Sequence, residues 1–119
     1  RVGDAVTDEE TGEISFVKEE DGLRIYRRPK AGDIFAAGVD VAEGVEGGDY
    51  SVMIIWDRKT GEEVAMFRGL LPPDIFAKKL NQWGRYYNNA LMVVEINNHG
   101  LTTVTCLRQL IYPTLNLKR

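Results

Sequence analysis

Between Ile34 and Phe67 the apolar residues come in three short runs bounded by residues that favour turns. Ile34 to Val41 is made of small apolar residues interrupted near its end by Asp40, the pattern of a buried central strand. Tyr50 to Trp56 is apolar at every second position and at most of those between, which predicts a strand covered on both faces. Asp57-Arg58-Lys59-Thr60-Gly61 reads as a turn, and Glu63 to Phe67 returns as a third strand. Together they predict an antiparallel meander.

From Pro72 the period changes to that of a helix. Proline suits the first helical turn, and the Asp74 carboxylate complements the helix dipole there. Phe76, Leu80, Trp83 and Tyr87 fall on one stripe. Gly84 interrupts this helix at a cost of ~1 kcal/mol relative to alanine, and Asn88-Asn89 suits a left-handed end. Leu91 to Glu95 predicts a fourth strand, parallel to the first because a helix intervenes. Leu101, Val104, Leu107 or Arg108, and Ile111 trace a second helical stripe, although Thr102, Thr103 and Thr105 are poor helix formers. Tyr112 to Leu117 predicts a further strand.

Residues 1–33 differ in character. They hold the acidic clusters Asp8-Glu9-Glu10 and Glu19-Glu20-Asp21 and few large apolar side chains. Ile14 to Val17 and Leu23 to Tyr26 flank an Asp21-Gly22 step, which predicts a hairpin. Pro29 to Asp33 follows as a loop. This section is expected to be a peripheral hairpin or linker with its first dozen residues poorly ordered, and residues 34–119 to be the compact domain. The order β-β-β-α-β-α-(β) describes a mixed α/β sheet with helices packed on it. The ribonuclease-H-like fold and the first lobe of the actin-like ATPases share that order.

Composition narrows the function classes. At 119 residues there is room for one domain. With 44% hydrophobic and 28% charged residues, the disordered and collagen-like classes are excluded. No apolar run is long enough for a membrane span or a signal-peptide core. Eighteen acids against fifteen bases give a net charge of −3, which argues against blanket electrostatic binding of nucleic acid but is compatible with a local acidic metal site. Cys106 is the only cysteine, so an internal disulfide and a cysteine-rich zinc site are both excluded and a reducing, cytoplasmic setting fits. The chain opens on Arg1 and is expected to be a piece of a longer one.

The candidate chemistry lies in acids at strand ends. Asp40 and Glu95 each close an apolar strand, where propensity and burial disfavour a carboxylate. If the two strands are parallel neighbours, both carboxylates reach one sheet edge, and a cation between them relieves their repulsion. Hard oxygen ligands favour Mg²⁺ or Mn²⁺. The plainer alternative is a loop cap at Asp40 and a salt bridge at Glu95. Gly44, Gly47 and Gly48 form a loop without the Gly-Lys-Ser/Thr of a P-loop, and Asp49 is either a third ligand or a turn former. Asn97, Asn98 and His99 stand at the start of the second helix, where a cap or a phosphate contact is expected. Trp56, Trp83, Tyr86 and Tyr87 read as core packing. Lys78, Lys79, Arg85, Arg108 and Lys118-Arg119 are solvated cations or a basic rim for phosphates.

These residues carry a resemblance. Gly38-Val39-Asp40-Val41-Ala42 with Gly44, Gly48-Asp49-Tyr50-Ser51-Val52, and Trp56-Asp57-Arg58-Lys59-Thr60-Gly61-Glu62 are similar to the nuclease domain of the large terminase subunit of tailed bacteriophages and prophages. The helix from Pro72, Tyr86-Tyr87-Asn88-Asn89-Ala90, Val94-Glu95-Ile96-Asn97-Asn98-His99-Gly100 and Leu110-Ile111-Tyr112-Pro113 continue it, so that it spans about residues 25–117.

The resemblance implies a ribonuclease-H-like fold and a two-metal endonuclease, with Mg²⁺ or Mn²⁺, that cuts concatemeric DNA during genome packaging. It implies Asp40 and Glu95 as catalytic metal ligands and Asp49 as a further ligand, while Asn98 and His99 at the helix start and Arg108 in the basic rim are the candidate substrate contacts read from their own positions. The partners it implies are double-stranded DNA, an ATPase domain in the same full-length chain, the small terminase subunit and the portal protein, in the cytoplasm of a bacterial host and without a membrane. The family's late Asp-Asp pair does not occur before Arg119, so the chain is expected to be an incomplete nuclease domain, inactive alone. An actin-like or sugar-kinase-like nucleotide-binding lobe and a non-catalytic DNA or packaging interaction module are the alternatives.

Overall fold

Alternating burial along short strands, followed by helical stripes, builds the sheet and its cover. The computed structural model describes residues 17–42, 48–95, 98–109, 112 and 115–118. Its elements are β1 (Leu23–Ile25), β2 (Phe35–Asp40), β3 (Ser51–Asp57), β4 (Glu63–Gly69), α1 (Pro73–Tyr86), β5 (Leu91–Glu95), α2 (Asn98–Gln109) and β6 (Leu115–Lys118). The strands form one six-stranded sheet in the order β1-β4-β3-β2-β5-β6. β1 to β4, β4 to β3 and β3 to β2 are antiparallel, whereas β2 to β5 and β5 to β6 are parallel. The mixed α/β sheet expected from the sequence is therefore present, with the meander and the parallel return both in place.

One face of the sheet carries the core. Val39, Met53, Ile55, Phe67, Met92 and Val94 are buried there under Phe76, Leu80 and Trp83 of α1 and Val104 of α2. The Phe67 ring lies 5.0 Å from that of Trp83 and 5.5 Å from that of Phe76, within the usual range for aromatic pairs. The opposite face differs from expectation. Val52, Ile54 and Trp56 of β3 are only half-buried, because α1 and α2 pack against each other on the core face. β3 is thus covered on one side by helices and open on the other.

Local chemistry sets the ends of the elements. Pro72 precedes α1 with φ −56°, Pro73 begins it and Asp74 lies in its first turn. Asn88 and Asn89 follow with φ of 56° and 55°, a left-handed region that asparagine tolerates better than most residues. Gly84 is explained by a neighbour. A Cβ at this position would stand 2.7 Å from Tyr112 Cε1 and Cζ, and the Tyr112 hydroxyl donates to the Ala90 carbonyl.

Leu23 pairs with Phe67, making β1 the outermost strand of the sheet, and Val17 and Leu23 enter the shared core. Residues 1–16, including the first run of the expected hairpin up to Phe16, lie outside the described residues. Arg27 ties this section to the β3–β4 turn. Its guanidinium donates to Asp57 Oδ2 at 2.8 Å, Glu62 Oε1 at 2.8 Å and Asp33 Oδ2 at 3.2 Å. Asp57 also accepts from the Lys59 and Thr60 amides. The Lys59 amide, helped by the Thr60 amide and Arg27 and opposed by burial, holds the Asp57 carboxyl below the usual carboxylate range. Among the described residues, no helix is long and apolar enough to cross a membrane.

Candidate metal centre

Two buried valines set the geometry. Val39 of β2 and Val94 of β5 are paired in parallel register with their side chains in the core. Alternation along a strand turns the next residues, Asp40 and Glu95, to the other face, and both are exposed there. They are the last residues of adjacent parallel strands. Beyond them the chain diverges, since β2 leads back to β3 while β5 leads into α2. A crevice opens at such a point of divergence in an α/β sheet.

Asp40 and Glu95 line one cavity of about 540 Å³ together with Gly38, Val39, Val52, Ile54, Trp56 and Val93. Paired strands lie ~4.8 Å apart, which puts the two carboxylates within reach of one cation. Among the residues whose side chains are described, neither forms an ion pair. The donor set suits a hard divalent ion. Mg²⁺ is commonly held by one or two carboxylates and completes its octahedron with waters and substrate phosphates. No group of three or more Asp, Glu, His or Cys side chains converges among the described residues.

The other expected site residues are placed differently. Asp49 is exposed ahead of β3 and forms no part of the cavity wall. Gly44 and Gly47, Asn97, and the side chains of Asn98 and His99 lie outside the described residues; Asn98 and His99 open α2 at the sheet edge that ends in Glu95. Arg108 is exposed in the last turn of α2. Ten residues of helix, ~15 Å at 1.5 Å per residue, separate it from that edge. Lys79 is paired with Glu20 at 2.9 Å. Trp56, read from sequence as core packing, stands in the cavity wall instead. Alternation puts Val52, Ile54 and Trp56 on one face of β3, and the register of Asp40 with Val52, which the sequence does not give, makes it the face of Asp40.

No protein-family model matches the sequence, and no curated protein is similar to it. Solved structures do resemble it. The large terminase nuclease from thermophilic phage G20c with bound magnesium superposes with a TM-score of 0.73 at 17% identity, covering 85% of this chain and 52% of that one. The chain has the fold of these nucleases. The same G20c nuclease with bound zinc gives a TM-score of 0.70 at 17% identity over 84% of this chain and 56% of that one. The large terminase nuclease domain of Thermus phage P74-26 gives 0.54 at 22% identity over 61% and 37%. The ribonuclease-H-like architecture expected from the sequence is thereby established, and the chain spans about half the length of the terminase nucleases it matches.

Proposed function

We propose that the chain is part of a metal-dependent DNA endonuclease domain of a phage or prophage terminase large subunit. The observation that carries this reading is the pair Asp40 and Glu95, side by side at the ends of adjacent parallel strands and sharing one open cavity. The bound magnesium and zinc of nucleases with the same fold support it.

Divalent cations, when bound, supply an activated water and stabilise the leaving 3′ oxygen in phosphodiester hydrolysis. Asp40, on the central strand, and Glu95, on the neighbouring parallel strand, would hold the ions in this reading. Ile54, Trp56 and Val93 make the wall behind them apolar, which lowers the local dielectric and strengthens carboxylate–cation attraction. Asp49 joins the ligand set only if its segment moves toward the cavity. Double-stranded DNA is the substrate. An ATPase domain of the same full-length chain, the small terminase subunit and the portal protein are the partners of such a nuclease in concatemer cutting, in the cytoplasm of a bacterial host.

Titration with Mn²⁺, followed by the electron paramagnetic resonance signal of the free ion, tests the reading. Weak binding is expected in the wild type and its loss in Asp40→Asn and Glu95→Gln, with little or no cutting of supercoiled plasmid by this chain alone. Equal Mn²⁺ binding in the wild type and both variants would overturn the assignment and leave the interaction-module reading in its place.

A further inference from the structure

The register that joins Asp40 to Glu95 extends across the sheet. Asp40 pairs with Val52, and Val52 pairs with Arg68 of β4. Directly paired residues share a face, so Arg68, Val52, Asp40 and Glu95 form one row along the open face. Arg68 is exposed. Its Cζ lies 4.1 Å from the ring centroid of Tyr50, itself 44% exposed. Both residues line a second cavity of about 520 Å³, whose other charged walls are Glu20, Asp21 and Lys79. Glu20 is taken by Lys79, and among the described residues no carboxylate pairs with Arg68.

A guanidinium held over an aromatic ring is pre-oriented, and its planar fork matches phosphate oxygens. In a chain of net charge −3, a phosphodiester strand brought to two carboxylates needs a local cation to offset repulsion. We infer that Arg68 and Tyr50 are a second contact for the DNA strand: Arg68 binds a backbone phosphate, and the Tyr50 ring fixes the guanidinium and packs against the adjoining nucleotide. The row sets the spacing. Two strand intervals put Arg68 about 10 Å from Asp40, a separation that neighbouring phosphates of one DNA strand can bridge. This inference rests on the nuclease reading of the carboxylate pair, and the two are separated by different measurements.

The test is fluorescence anisotropy of a short labelled DNA duplex with the full chain in EDTA, so that metal plays no part. Arg68→Gln is expected to weaken binding about fivefold at low salt and to flatten the dependence of log affinity on log salt by about one. Arg68→Lys keeps the charge but not the stacked fork, and is expected to retain the salt slope while losing part of the affinity. Tyr50→Ala should weaken binding as well. Melting curves and Mn²⁺ binding of all three variants are expected to match the wild type. Wild-type affinity equal to that of Arg68→Gln, or no measurable binding by the wild type, would overturn the inference. A failure of the metal reading would show instead as unchanged Mn²⁺ binding in Asp40→Asn.

Discussion

The ring of Tyr112 occupies the space that a side chain at Gly84 would need. Helix propensity alone favours Gly84→Ala by ~1 kcal/mol, but overpacking costs ~1–3 kcal/mol. A net loss of about 1 kcal/mol is therefore expected, seen as a lower urea midpoint with an unchanged slope. In a Tyr112→Leu background the same alanine should cease to destabilise, as a double-mutant cycle would show.

Acid should loosen the corner around Arg27. The Asp57 carboxyl is held down first by the Lys59 amide, and that of Asp33 first by the Lys30 amide, with Arg27 adding to both. A carboxyl with a lowered folded-state value stabilises the fold above its ordinary pKa of ~3.9 and loses that contribution as pH falls through the lowered value. Stability measured by denaturant at a series of pH values should fall below about pH 4. Asp57→Asn should shrink that fall. Arg27→Met should shrink it less, because the leading cause at each aspartate is a backbone amide.

Divalent metal should raise the melting temperature through Asp40 and Glu95. At ten times the dissociation constant, ligand binding adds ~1.4 kcal/mol, worth a few degrees in a domain of this size. Mn²⁺ is expected to produce that shift in the wild type and none in Asp40→Asn. Without metal, Asp40→Asn should melt no lower than the wild type, since it removes a carboxylate facing Glu95.

The two tryptophans should report the two faces of the sheet. Trp83 is 1% exposed beneath α1, whereas Trp56 stands half-buried in the cavity wall. Acrylamide is expected to quench the fluorescence of a Trp83→Phe variant readily and that of a Trp56→Phe variant hardly at all. Equal quenching would mean that the cavity face is covered in solution.

Much of this fold could be read from short-range patterns. Strands were expected over 34–41, 50–56 and 63–67 and occur over Phe35–Asp40, Ser51–Asp57 and Glu63–Gly69, because alternation and turn residues are local properties. Asp40 and Glu95 stood out for the same reason: a carboxylate at the end of an apolar run is anomalous wherever the run sits. What escaped was the arrangement of layers. Nothing local in Tyr50 to Trp56 says that both helices go to one face, so Trp56 was assigned to packing. The pairing of β1 with β4 is likewise a long-range choice, and the distance of Arg108 from Glu95 depends on how α2 is laid against the sheet.

The carboxylate pair also has a history within each molecule. β2, β3 and β4 are neighbours in sequence, whereas β5 pairs with β2 across the intervening β3, β4 and α1. Such non-local pairing is slow compared with a meander. A nascent chain therefore displays Asp40 at an open strand end well before Glu95 has been synthesised. If the pair holds a cation as proposed above, a half-made molecule carries Asp40 without the partner that completes the site.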